Sequence, residues 1–336
     1  MKKRIAALIL AVLMAASVMG GCAAGKVAPS KYATTAIAKI GDETVYMDEL
    51  NYYVRMTQYD NEKQGLLESY GVKKWTDPVN FYNILTYIPA DSLRDQAMTM
   101  VRQAYVMANE AEKAGIVLSA KDAAAIADTI NEFLAGDAAL VSAVNLSADR
   151  LKEILTRNAL ANKMYEQYGT TIDTNVTDEE ALQYDVTYLT IGPTTILDLD
   201  VAEGVTPETL AKEIADKVND GSDLTVALKG YDLTGTSITM GNGDYENTFG
   251  SAVKDLEVGK AVAVESANNE GTFFVVVRDS DKNEDATAVK KVELKAKKIS
   301  EAFAKVYPDW EGAYAFEPEY KVIDSLEISD PIYVKK

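Results

Sequence analysis

The chain has 336 residues, with 34 Lys or Arg against 52 Asp or Glu (a formal net charge of −18), 47% apolar residues and 26% charged ones. That is the composition of a folded chain long enough for about two cores. Its acidity argues against nucleic acid, whose phosphates need clustered Lys and Arg, and against adsorption to anionic head groups. There is no histidine, which removes Ser-His-Asp and Cys-His catalysis, His-ligated zinc and imidazole acid–base work. A single cysteine removes disulfides within the chain, Cys-rich metal sites and thiol–disulfide pairs.

Lys2, Lys3 and Arg4 precede an uncharged apolar run from Ile5 to Met19. The run is shorter than the roughly 20 residues of a membrane-crossing helix and fits a secretory h-region. It ends in Val18-Met19-Gly20-Gly21-Cys22, where small residues before the only cysteine resemble the lipobox of bacterial lipoproteins. The resemblance implies a signal peptide over residues 1–21 and lipidation of Cys22. A plain secretory peptide with an incidental cysteine is the alternative. Removing residues 1–21 takes away three basic side chains, leaving 31 − 52 = −21. Residues 22–36, rich in Ala, Gly, Ser and Thr, read as a flexible tether. The expected location is extracytoplasmic, lipid-anchored to the outer face of the bacterial cell membrane.

Ile37 to Tyr46 alternates apolar and polar residues around Gly41-Asp42, a hairpin signal. Met47 to Leu50 opens a helix with Leu50, Tyr53 and Val54 on one face, and residues 65–78 read as a loop with a short helix. The strongest helix is expected over 91–113, with Leu93, Ala97, Met100, Val101, Ala104, Tyr105 and Ala108 at helical spacing and Gly115 as the stop. Ser119 and Asp122 cap a helix carrying Ile126, Ile130, Phe133 and Leu134. Another follows Ser147 with Leu151, Ile154, Leu155, Leu160 and Met164. Near Thr170 the texture changes. Thr177 and Glu180 form a capping box, residues 184–191 alternate as a strand, and Thr206-Pro207 starts a helix ended by Gly221. After a Gly-rich stretch, 261–264 and 273–277 read as strands. Residues 279–285 read as a charged linker, about 286–306 as a last helix and 320–328 as a strand-like tail.

The opening IAKIGDETVYMDELNYYV resembles the start of the SurA/PrsA-type chaperone domain. The later AYVMANEAEKAGIVLSAKDAAAIADTINEF is similar to that family's passage from a long helix through Gly to a capped second helix. The resemblance implies an α+β fold: a mainly helical chaperone domain with a small parvulin-like α+β domain inserted. Its parts would be residues 37–175, an insert over 180–282 that lacks the parvulin histidines, and residues 286–336 returning to the helical domain. Within the insert, Phe249-Gly250-Ser251-Ala252-Val253 through Gly259-Lys260 is similar to the parvulin helix and turn, and Gly271-Thr272-Phe273 to its last strand. The degenerate catalytic positions would be Tyr188, Met240, Phe249 and Phe273, the last where a parvulin histidine would stand.

The expected helical domain holds Met47, Met56, Met98, Met100, Met107 and Met164. Methionine is unbranched and polarisable, which suits a surface that accepts varied apolar partners, although at helical spacing it commonly fills the core. Tyr52, Tyr53, Met56, Met100 and Tyr105 are the candidate client-binding residues, with Tyr59 and Tyr82 as further aromatics. Residues 279–285 alternate oxygen ligands like a calcium loop. However, Glu284 takes the place of the glycine and Lys290 that of the bidentate glutamate, so no metal or cofactor is assigned. Gly241-Asn242-Gly243 follows no evident strand and lacks a third glycine, so it is no dinucleotide fingerprint.

The leading reading is a membrane-anchored extracytoplasmic chaperone that binds unfolded or newly secreted polypeptides through apolar surfaces, without efficient prolyl isomerase activity. The alternatives are a peptidyl-prolyl isomerase with a histidine-free site, or a solute-binding or scaffolding lipoprotein. The sequence sets no oligomeric state.

Overall fold

The computed structural model describes residues 28–81, 85–246 and 248–333. The expected signal peptide, Cys22 and the first part of the tether lie outside these residues. In chain order the elements are β1 (Ala36–Ile40), β2 (Glu43–Tyr46), α1 (Met47–Lys63), α2 (Leu66–Tyr70), β3 (Val79–Phe81), β4 (Leu85–Tyr87), α3 (Pro89–Lys113), α4 (Ala120–Leu134), α5 (Ala138–Val144) and α6 (Ala148–Thr170). They continue with α7 (Asp178–Ala181), β5 (Gln183–Ile191), α8 (Pro193–Asp198), α9 (Pro207–Asn219), α10 (Leu224–Ala227), β6 (Thr236–Gly241), α11 (Gly250–Val253), β7 (Ala261–Glu265), β8 (Phe273–Arg278), α12 (Glu284–Gly312), β9 (Phe316–Pro318) and α13 (Tyr320–Ile323). The fold class is α+β and mainly helical. Two compact units divide the chain: Met1–Thr171 with Phe303–Lys336, and Ile172–Ala302.

In the first unit, the tight turn at Gly41, with φ +60, closes the β1–β2 hairpin. Glycine occupies this left-handed backbone without the Cβ penalty. β9 pairs with the other edge of β1, Ile40 facing Phe316, to complete a three-stranded antiparallel sheet. The expected tail strand over 320–328 is corrected here. The pairing strand lies earlier, at Phe316–Pro318, and Tyr320–Ile323 is a helical turn. Ile323, Leu326 and Ile328 bury their side chains in the core instead of entering a ladder. That core joins Ile37, Ile40, Leu50, Val54, Leu93, Val101, Leu151 and Ile154, all essentially without solvent contact.

Charges are buried among these apolar residues, and they are paired. Glu49 has no exposed surface, and its carboxylate accepts hydrogen bonds from Arg157, from Arg150 Nη2 at 3.2 Å and from Tyr105 Oη at 3.0 Å. Arg150 also donates to Asp48 at 2.9 and 3.1 Å. The Arg157 guanidinium lies 3.7 Å from the Tyr105 ring centroid. Burial pushes the Glu49 carboxyl up, and the two arginines and Tyr105 pull it back. The network fixes α1, α3 and α6 to one another. A second buried carboxylate, Glu62, accepts from Gln58 Nε2, Trp75 Nε1 and the backbone N–H groups of Ile332 and Tyr333, and so holds residues 332–333 against α1.

In the second unit, four antiparallel strands run in the order β6-β5-β8-β7. Strand β6 corrects the sequence reading, because residues 236–241, taken there as part of a Gly-rich stretch, pair along β5 from Tyr188↔Thr236 to Gln183↔Gly241. Its Thr-Ser-Ile-Thr run reads as polar because much of β6 faces solvent at the sheet edge. Amphipathic α9 covers one face with Leu210, Ile214 and Val218 against Leu189, Ile191, Val275 and Val277. Residues 279–285 are not a free linker. Asp185 accepts from Ser280 Oγ at 3.1 Å and Asn283 Nδ2 at 2.9 Å, and helix α12 already begins at Glu284. The first part of α12 stays with this unit through Lys291–Asp178 and Lys298–Glu180 ion pairs and the Thr287–Gln183 hydrogen bond. The division therefore falls at Phe303, inside the helix, and not at residue 286.

Replacing Glu49 by Ala strands two arginines that have lost their counter-charge. Removing one partner of a buried ion pair costs about 3–5 kcal/mol. Urea unfolding of the Glu49→Ala variant is expected to show a loss of that size, and a loss below about 1 kcal/mol shows that the network does not hold the unit together.

Candidate functional site

Helices α1, α4 and α6 enclose an apolar cleft of about 300 Å³ in the first unit. Tyr52 and Met56, one turn apart on α1, form one wall. Ile130 and Phe133 of α4 form the second, and Leu151 and Leu155 of α6 the third. Thr129 and Glu132 are its polar members, both exposed. The helices are set by local chemistry. Ser119 and Asp122 form a reciprocal capping box at the start of α4, and Asp122 pairs with Lys163 of α6 at 3.0 Å. The Ser119 hydrogen bonds, with Lys163, pull the Asp122 carboxyl down to about 2. Asn51 donates to the carbonyls of Ala143 and Val144, holding the end of α5 against α1. Asp137 caps α5 and accepts from Tyr59 Oη at 3.2 Å.

The five candidate client-binding residues separate. Tyr52 and Met56 line the cleft. Tyr53 is buried and donates to Asn158 Oδ1 at 2.6 Å, and Tyr105 is buried and donates to Glu49, so both are committed to the interior. Met100 is half-buried against the core, its sulfur 3.9 Å from Thr57 Oγ1. Tyr82 lies outside the described residues. The cleft's other walls, Phe133 and Leu155, were read in the sequence only as packing residues. The available signal was adjacency: Ile154 and Leu155 are neighbours on one helix, and Ile154 points into the core while Leu155, partly buried against that core, also lines the cleft.

The second unit presents an aromatic sheet face opposite α9. Tyr188, Met240 and Phe249 share it with Tyr184, Val186 and Val276. Phe273 does not, which corrects the sequence reading. It pairs with Ile191 and packs on the α9 side, because successive side chains of a strand point to opposite faces. Phe274 lies on the aromatic face instead, with its ring 5.3 Å from Phe249 and 6.2 Å from Tyr188. Tyr188 lies 5.0 Å from Phe249. Tyr245, with φ +55 and about half exposed, stacks on Phe249 at 5.1 Å and 10° between planes. Gly250 permits this, since a Cβ there would stand 2.0 Å from the Asp244 carbonyl oxygen. Met240 and Phe249 are buried, so Tyr245, Tyr188 and Phe274 form the accessible part of the face. Among the described residues, no group of three His, Cys, Asp or Glu side chains is placed to hold a metal ion. No helix among them is long and apolar enough to cross a membrane.

No protein-family model matches the chain, and no curated protein matches it. Solved structures do. The chain is similar to SurA-like chaperones and to PrsA peptidylprolyl isomerases. One match is a structure from work on the Campylobacter jejuni virulence factor PEB4 and the periplasmic protein Cj1289, described as structurally related SurA-like chaperones. It has 10% identity, coverage of 85% of this chain and 99% of that one, and a TM-score of 0.29. The PrsA peptidylprolyl isomerase of Bacillus cereus has 16% identity, coverage of 75% and 97%, and a TM-score of 0.33. For that of Bacillus anthracis the values are 16%, 62% and 95%, and 0.28.

Substituting Gly250 by Ala forces the Asp244–Tyr245 backbone away, an overpacking cost of about 1–3 kcal/mol. The Gly250→Ala protein is expected to lose near-ultraviolet circular dichroism as Tyr245 leaves the Phe249 ring. An unchanged aromatic spectrum shows that the stack does not depend on this contact.

Proposed function

We propose that the chain is an extracytoplasmic chaperone, anchored to the membrane through a lipid on Cys22, that holds unfolded or newly exported polypeptides without efficient prolyl isomerisation. The observation that carries the reading is the cleft between α1, α4 and α6: six apolar or aromatic side chains around about 300 Å³ of space. A water's share of liquid volume is ~30 Å³, so the cleft has room for one large side chain and the backbone beside it. Met56 gives one wall the adaptability that varied clients require. The motifs similar to SurA/PrsA chaperones lie on the elements that build this unit, β1, β2, α1, α3 and α4.

Burying one Leu- or Phe-sized side chain yields about 1.5–3 kcal/mol before the cost of association. Contacts of that size hold a client weakly and release it once the client buries the same side chain itself. Without residues 1–21 the net charge of 31 − 52 = −21 keeps the holder from associating with itself as it collects greasy chains. No proton transfer is required.

A second reading rests on a specific observation: the Tyr188, Phe249, Phe274 and Tyr245 rings converge on one sheet face. Such a face could twist and desolvate a prolyl amide whose rotation is opposed by about 18–20 kcal/mol. It would do so without imidazole donors, since the chain has no histidine.

Aggregation of a chemically denatured model protein is expected to slow when the chain is added, and a Met56→Ser, Leu155→Ser variant to lose more than half of that effect. A protease-coupled proline-isomerisation assay is expected to show no acceleration. Acceleration that disappears in Phe249→Ala and Phe274→Ala gives the second reading precedence, and a chain that suppresses no aggregation refutes the first. For the anchor, wild-type chain is expected in the membrane fraction of a bacterial host and Cys22→Ala in the soluble fraction. Equal partition of the two excludes the lipid.

A further inference from the structure

One face of α1 is covered by the end of the chain itself. Residues 327–333 belong to no helix or strand, yet they run along α1 in its own direction. Arg55 Nη2 donates to the Glu327 carbonyl at 2.6 Å, and Gln58 Nε2 to the Asp330 carbonyl at 3.1 Å. One turn on, Glu62 Oε2 accepts from the backbone N–H groups of Ile332 at 2.9 Å and Tyr333 at 2.6 Å. The Trp75 N–H donates to the Ser329 carbonyl at 2.8 Å. All five contacts fall on main-chain atoms of the tail, which every polypeptide carries at every residue, proline's missing N–H excepted. Side chains contribute less beyond Ile328, which is fully buried. Pro331 is exposed, Ile332 and Tyr333 are half-buried, and the Tyr333 ring meets Tyr59 edge-on at 5.4 Å.

The receiving groups cannot be left bare. Gln58 and Glu62 are 0% and 6% exposed. The Glu62 carboxylate divides its partners. Oε1 accepts from Gln58 Nε2 and the Trp75 indole, whereas Oε2 accepts, among the described residues, only from the tail. A buried carboxylate oxygen stripped of its donors is costly, so the tail leaves only when another chain supplies N–H groups in its place. We infer that this face of α1 is a second polypeptide-binding site, which reads backbone and not sequence, and that residues 330–333 are its resident occupant, exchanged for a segment of an unfolded chain. It shares no lining residue with the cleft. Ile328 stays anchored in the core, and the chain beyond it exchanges. The inference rests on the chaperone reading above for the source of the competing segment. Tethered to its own site, the tail competes at an effective concentration on the order of millimolar, which keeps the site closed to weak competitors.

Two measurements on the full chain test this. In the first, a labelled peptide of the tail sequence, Ser-Asp-Pro-Ile-Tyr between glycines, is titrated by fluorescence anisotropy into wild type and into an Ile332→Pro, Tyr333→Ala variant. Proline removes one N–H that Glu62 accepts, and alanine removes the ring on Tyr59. The variant is expected to bind the peptide about tenfold more tightly, since its own tail competes less. Methylating the peptide's isoleucine nitrogen is expected to weaken that binding about tenfold, the size of one hydrogen bond to a charged group. In the second, hydrogen exchange of the Ile332 and Tyr333 amides of wild type is followed as a reduced, carboxymethylated protein, permanently unfolded, is added. Faster exchange is expected. Equal peptide affinity for wild type and variant, or a methylated peptide that binds as well, overturns the inference. A wild-type dimer that the variant does not form also overturns it, since the tail then belongs to a second copy. If the unfolded protein binds and its aggregation is suppressed while the two amides exchange as before, the inference falls and the chaperone reading stands. If the unfolded protein neither binds nor is kept from aggregating while both peptide results hold, the chaperone reading falls and the backbone-reading site stands.

Discussion

The helical unit depends on a buried carboxylate. Glu49 sits where an apolar residue would ordinarily be placed, and two arginines from α6 and a tyrosine from α3 reach it across the core. Each charge is tolerable only because the others are present, so the three helices are held in one arrangement and not merely pressed together by non-directional burial. The cleft is a consequence of that arrangement. Leu151 and Ile154 are drawn inward on the same helix that supplies Arg150 and Arg157, which leaves Leu155 turned toward α4 and the open space. A core packed by apolar side chains alone would be free to close over it.

The second unit covers both faces of its four-stranded sheet. Its sheet is covered on one face by α9, and the other face is closed by α11 and a short turn that carries Tyr245 over Phe249. The aromatic rings are held by packing and by the glycine at 250, and Arg278 beside Tyr184 donates to the carbonyls of Val253, Lys254 and Ser280. The Tyr184 hydroxyl on this face is buried without a hydrogen-bond partner among the described residues.

Much of the fold was legible because local patterns agreed with the final packing. The capping boxes at Ser119 and Thr177, the helix over α3, the Gly41 turn and strand β5 each follow from residues within one element. Strand β6 was not legible, since a solvated edge strand of Thr and Ser lacks the apolar alternation that announces a buried one. The site was half legible. Tyr52 and Met56 were identified as residue types suited to a soft surface, but Tyr53 and Tyr105 have the same chemistry and end in the core.

The sequence by itself determined the long helices, strand β5, the capping boxes at Ser119 and Thr177, and which reactions are closed to a chain without histidine and with one cysteine. Tertiary structure alone decided which of two neighbouring aromatics faces outward. Phe273 and Phe274 differ by one residue, and only the pairing of β8 with β5 tells which is on the open face. Likewise only the packing of α1 against α4 and α6 puts Tyr52 on the cleft wall while Tyr53 donates to Asn158 in the interior. Periodicity along the chain states that faces alternate, and contact with a distant segment states which face is inside.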